Sequence, residues 1–153
     1  MGKLVSSLDI LNTGDTWKTY LQECEQLKSE LAVQTKDIRF LQQLLNRYLD
    51  KIIQNGNLDE VRESLMRFQD VCYDCGSFKK RLKDHQNRLA DIIKGKSGYD
   101  PDSVHEEQSW IKKNIKLLIE DVVSVEKEIL IIANDVIQSE KPPVPNLIHN
   151  PSV

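Results

Sequence analysis

The feature that most constrains this fold is a heptad pattern between positions 15 and 54, a stretch that contains neither proline nor glycine. With Trp17 as the first a position, every a and d position except Gln34 carries an apolar or aromatic residue. These positions are Trp17, Cys24, Leu31, Ile38, Leu45 and Ile52 (a) and Tyr20, Leu27, Gln34, Leu41 and Tyr48 (d). The spacing predicts one long helix with a continuous apolar stripe. Such a stripe is stable in water only when other helices cover it.

Two further helices are predicted, over residues 58–94 and 101–139, and each continues a heptad pattern. The a positions are Leu58 and every seventh residue after it in the second helix, and Gln108 and every seventh residue before and after it in the third. Asn55-Gly56-Asn57 and the stretch from Gly95 to Gly98 separate the three helices. Residues 1–14 are expected to form a short apolar arm, and the proline-rich residues 140–153 an extended tail.

The two breaks are short, and short connections make consecutive helices antiparallel. The sequence therefore predicts an all-α protein, an elongated antiparallel three-helix bundle with coiled-coil-like packing. Paired residue numbers should sum to roughly 112 between the first two helices and roughly 195 between the last two. The pattern of three long helices, with a tryptophan early in the first, is similar to that of spectrin-type repeats, although the helices here are longer. This likeness rests on the pattern of the helices and not on a shared motif.

This register places Gln34, the polar d position of the first helix, level with Lys79 at an a position of the second. A polar layer of this kind weakens an apolar seam but fixes its register. The alternative is that the long Lys79 side chain reaches solvent and Gln34 is merely tolerated.

Composition restricts the classes of function. The chain has 153 residues and a net charge of −3, so it has no general attraction for nucleic acid or anionic lipid. No apolar run approaches the roughly 18–20 residues of a membrane span. Three cysteines without a secretory signal indicate reduced thiols and a cytoplasmic location.

Candidate catalytic and metal-binding residues are few. Cys72 and Cys75 form a C-x-x-C pair, but they occupy a and d positions, where cysteine packs as a small apolar residue. A redox dithiol is the alternative interpretation. His85, His105 and His149 have no spacing typical of a triad or a metal site. We therefore expect no enzyme activity, no cofactor, no small-molecule substrate and no metal.

The end of the bundle that contains the first connection carries more apolar residues than a three-helix core needs. We therefore expect a non-enzymatic adaptor or assembly subunit that binds partner helices, or a second copy of itself, through apolar helix faces. The alternative is that these side chains thicken the core. The candidate partner-binding residues are Leu44, Leu49, Ile53, Leu130, Ile131 and Ile137.

Two other functions are compatible with the sequence. Residues 1–6 match the M-G-x-x-x-[ST] pattern for acylation of Gly2, which predicts an N-myristoylated peripheral membrane adaptor. The basic stretch from Lys79 to Arg88 could contact nucleic-acid phosphates. Acidic residues interrupt that stretch, so pairing with acidic side chains of the third helix is favoured over binding of nucleic acid.

Overall fold

The computed structural model describes residues 2–55 and 58–140, and in that part of the chain it contains three α-helices and no strand. Helix α1 spans Gly2–Asn55, α2 spans Leu58–Ile93 and α3 spans Pro101–Glu140. Each helix packs against both of the others. The all-α fold and the three-helix bundle are therefore confirmed, while Met1, the first connection and the tail 141–153 lie outside the described residues.

Helix α1 begins at Gly2, whereas the sequence pattern predicted a start near residue 15. Leu4, Leu8 and Leu11 follow helical spacing, although they occupy b and f positions and not the a and d positions of the seam. Gly14 is the only interruption, and a single glycine lowers helix stability by about 1 kcal/mol without ending the helix. The predicted arm therefore continues the first helix from Gly2 onward.

Helix α2 ends in a Schellman motif. Gly95 has a φ of 85°, the left-handed conformation that glycine adopts without strain. The Gly95 N–H donates to the carbonyl of Ile92 at 2.9 Å, and the Lys96 N–H donates to the carbonyl of Asp91 at 3.0 Å. These two bonds satisfy carbonyls that the end of the helix leaves open. The chain then turns within seven residues to begin α3 at Pro101.

Contacts between side chains establish the register of the bundle. Helix α2 is antiparallel to α1, because Gln86 donates to Glu25 whereas Cys72, earlier in α2, accepts from Gln42, later in α1. It is antiparallel to α3 in the same way, because Arg67 donates to Glu128 and Arg81 donates to Glu107. The paired residue numbers sum to roughly 112 for α1 with α2 and roughly 195 for α2 with α3, as an immediate antiparallel turn requires. Helices α1 and α3 are therefore parallel.

The a and d positions form the core. Two clusters of buried side chains fill the bundle, one around Leu31, Ile52 and Ile129 and the other around Trp17, Leu89 and Ile111. Leu45, Leu118 and Val122 are also buried in the first cluster. The outer heptad positions therefore form the surface of the bundle.

Candidate functional site

A polar layer crosses the bundle inside the second cluster. It consists of Cys24 from α1, His85 from α2 and Gln108 from α3, all of them buried. The Gln108 Oε1 lies 2.7 Å from His85 Nε2 and accepts a hydrogen bond from Cys24 Sγ at 3.5 Å. The Gln108 Nε2 donates to the backbone carbonyl of Tyr20 at 3.2 Å. One amide thus connects all three helices, which makes this layer a device for fixing their register.

The protonation state of His85 follows from these contacts. Because Gln108 donates through its nitrogen to Tyr20, its oxygen must accept, so His85 Nε2 carries the hydrogen. The His85 Nδ1 is then a buried acceptor with no hydrogen-bond partner among the residues that the structure describes. Burial lowers the pKa of His85, the bond to Gln108 and the charge of Glu107 oppose that change, and Arg88 adds to it. The imidazole is therefore neutral at pH 7.

This neutral imidazole predicts a pH-dependent stability. Unfolded His85 binds a proton near its ordinary pKa of about 6.5, whereas folded His85 resists protonation, so the unfolded state binds more protons as the pH falls below that value. Stability should fall with pH there, by at most about 1.4 kcal/mol per pH unit for one such group. We expect urea unfolding to show a smaller loss between pH 7.5 and pH 5.5 in His85→Gln than in the wild type. An equal loss in both proteins would contradict a buried neutral His85.

An aromatic cluster lies next to the polar layer. Trp17 is buried, and its ring lies 4.9 Å from that of His105 and 5.8 Å from that of Tyr20. The Tyr20 hydroxyl is 2.7 Å from His105 Nδ1. These contacts join α1 to α3, so Trp17 and His105 stabilise the packing of the bundle.

The three cysteines are free thiols. Burial raises the pKa of both Cys24 and Cys75 to about 11. It also raises the pKa of Cys72, which accepts a hydrogen bond from Gln42 at 3.6 Å. Thiols with raised pKa values are weak nucleophiles and weak metal ligands. Over the described residues, no three His, Cys, Asp or Glu side chains are arranged to hold a metal ion.

One residue of the basic stretch is held by α3. The Arg81 guanidinium lies 3.5 Å above the Trp110 ring and donates to both carboxylate oxygens of Glu107, the shortest of these bonds being 2.7 Å. Arg81 in turn lowers the pKa of Glu107. Lys80 and Lys83 are exposed. The structure thus shows the expected pairing with acidic residues of α3 at Arg81.

The predicted register residues have different environments. Lys79 is exposed, and Gln34 is half-buried with an Oε1 that has no hydrogen-bond partner within the described chain. The Gln34 oxygen therefore makes no hydrogen bond with Lys79. The buried polar layer that joins all three helices is centred on Gln108, which the sequence pattern placed at an a position without singling it out.

The six predicted partner-binding residues lie on different sides of the bundle. Ile53, Leu130 and Ile131 are exposed, and Leu44, Leu49 and Ile137 are half-buried. By heptad position, Leu44, Leu130 and Ile137 belong to the side shared by α1 and α3. The other three lie on the sides that α2 shares with its neighbours. The structure therefore does not bring the predicted set together into one patch.

A different set of exposed apolar residues shares one side of the bundle. Ion pairing between Glu23 and Lys112 shows that the g positions of α1 face the e positions of α3. The positions next outward are c on α1 and b on α3, and two successive members of each carry large apolar side chains. These are Val33 (57% exposed), Phe40 (61%), Val123 (38%) and Leu130 (45%), which we call the α1–α3 face.

Two carboxylates lie within this face. Asp37 is midway between Val33 and Phe40 in sequence, and Glu126 is midway between Val123 and Leu130. The Glu126 Oε1 is buried and has no hydrogen-bond partner in the part of the chain that the structure describes. Burial raises the pKa of Glu126, and the negative charge of Asp37 raises it further. The face is thus apolar at its corners and acidic at its centre.

Of the four residues of the α1–α3 face, the sequence pattern predicted only Leu130 as part of a binding surface, and not Val33, Phe40 or Val123. The sequence nevertheless contains a feature that could have identified Val33 and Phe40. They occupy successive c positions, where a three-helix bundle normally carries polar residues. Gly2 is the first residue of α1, and its acylation stays a prediction. No described helix is long and apolar enough to cross a membrane.

The fold is an antiparallel three-helix bundle. No family model matches the sequence, and no curated protein or solved structure matches it.

Proposed function

We propose that this protein is a non-enzymatic helical adaptor or assembly subunit that binds partner proteins through the α1–α3 face. The observation that carries the proposal is the exposure of Val33, Phe40, Val123 and Leu130 on one side of the bundle. Single exposed apolar residues are ordinary on protein surfaces, whereas several large ones on one side of a bundle are typical of interaction sites. The two parallel rows, each with a seven-residue repeat, match the geometry that an amphipathic partner helix needs.

The chemistry of the buried histidine and cysteines supports a binding function over a catalytic one. His85 is neutral and fully enclosed, and Cys24 and Cys75 have pKa values of about 11. Catalytic nucleophiles and bases need accessible side chains whose pKa values lie near the working pH. These three groups instead contribute to packing.

The proposal can be tested by affinity capture with matched variants. The variant Phe40→Ser/Leu130→Ser removes two apolar side chains from the face, and the control Met66→Ser/Tyr73→Ser removes two from α2 that are together more exposed. We expect a discrete set of proteins to be retained by the wild type and the control but lost by the face variant, with the helical circular dichroism of all three unchanged. Equal capture by the face variant and the control would contradict the proposal.

A further inference from the structure

We infer that the α1–α3 face is a binding site for a basic amphipathic helix, one that places an arginine or lysine between two apolar residues spaced seven apart. This inference rests on the proposed function and specifies the chemistry of the partner. Two features of the face carry it: the spacing of its apolar residues and the position of its two carboxylates.

The first feature is the alignment of α1 with α3. Hydrogen bonds join Tyr20 to His105 and Cys24 to Gln108, with separations in sequence of 85 and 84 residues. Because the helices are parallel, the same offset places Phe40 level with the segment of α3 between Val123 and Leu130. At 1.5 Å per residue, each apolar pair spans about 10 Å along its helix. A partner helix lying in the groove between α1 and α3 would meet these pairs with apolar residues two turns apart.

The second feature is the charge at the centre of the face. Asp37 is exposed and Glu126 is half-buried, and they are close enough for the charge of Asp37 to act on Glu126. Two carboxylates repel each other, and the buried Glu126 Oε1 has no partner in the described chain that would offset its lost hydration. A guanidinium or ammonium group supplies both the missing hydrogen bond and the opposite charge. An acidic or purely apolar partner helix would supply neither.

Charge complementarity therefore selects the partner. The apolar corners give affinity for an amphipathic helix of any charge, whereas the carboxylates discriminate in favour of a basic residue at the centre. A second copy of this chain does not meet the requirement on the same face, since that face would bring Asp37 and Glu126 against another pair of carboxylates in an isologous dimer.

Three labelled helical peptides test the inference by fluorescence anisotropy. They share two leucines seven residues apart and differ midway between them, where they carry arginine, its neutral analogue citrulline, or glutamate. We expect the arginine peptide to bind the full-length protein about tenfold more tightly than the citrulline peptide, as one charged hydrogen bond requires. The glutamate peptide should bind most weakly, and the preference for arginine should decrease with added salt.

Protein variants assign this preference to the two carboxylates. Asp37→Asn/Glu126→Gln should abolish the arginine preference while leaving the affinity for the citrulline peptide unchanged. The control Asp70→Asn/Asp84→Asn removes the same charge from exposed positions of α2 and should keep the preference. Phe40→Ser should weaken the binding of all three peptides.

The outcomes separate this inference from the proposed function. Equal affinity for the three peptides, or a preference that the α2 control also loses, overturns the inference. The proposed function is then decided separately, by the capture experiment on the face variant. Absence of binding by every peptide also overturns the inference, because a helix of this design meets all the stated requirements.

Discussion

Replacement of Gln108 by leucine is expected to lower the free energy of unfolding by about 2–4 kcal/mol. The leucine fills a similar volume but leaves the His85 Nε2 hydrogen without its acceptor, in a site where His85 is completely buried. It also removes the bonds to Cys24 and to the Tyr20 carbonyl. Urea unfolding followed by circular dichroism measures the change.

A second substitution separates the polar network from simple packing. In Gln108→Leu/His85→Leu no unpaired polar group is left between the two positions, and replacing both partners by apolar groups is often nearly neutral. We expect the double variant to recover more than half of the stability that Gln108→Leu loses. As a control, Gln42→Leu, which breaks an exposed hydrogen bond to Cys72, should change stability by less than about 0.5 kcal/mol. A double variant as unstable as the sum of its two single variants would contradict the network.

Ile129→Ala should lower the free energy of unfolding by about 2–5 kcal/mol, the range for truncation of a fully enclosed aliphatic side chain. Ile129 is completely buried in the larger core cluster, so the smaller residue leaves a cavity. Its neighbour Leu130 is 45% exposed and belongs to the α1–α3 face. Leu130→Ala should therefore change stability by less than about 0.5 kcal/mol, since alanine is also a strong helix former.

This adjacent pair tests the orientation of α3. A rotation of α3 by one residue, about 100°, would exchange the environments of Ile129 and Leu130. Similar losses in the two variants, or a larger loss in Leu130→Ala, would show that Leu130 belongs to the core and not to a binding face.

The sequence alone predicted the three helices, their core residues and their antiparallel order. Burial of Leu31, Ile38 and Ile52 follows from the heptad pattern, because side chains three and four apart share one side of a helix. The end of α2 was predictable from Gly95, since glycine adopts the left-handed conformation that closes a helix. The antiparallel register followed from the short connections.

The buried polar layer and the α1–α3 face were harder to predict from the sequence, because they depend on which outer heptad positions face a neighbouring helix. His85 occupies a g position, where a histidine in a two-stranded coiled coil would be partly solvated, yet α3 encloses it completely. Leu130 and Ile131 are adjacent in sequence but face different sides of the bundle. The start of α1 was misplaced because Gly14 resembled a boundary, whereas the helix continues through it.

The most direct test of the central claim, that the α1–α3 face binds another protein, is photo-crosslinking in intact cells. Benzoylphenylalanine is incorporated at Phe40 in one protein and at Tyr73, which is 76% exposed on α2, in another. We expect position 40 to form adducts of discrete mass with another protein and position 73 to form none. Adducts of equal yield at both positions, or at position 73 alone, would contradict it.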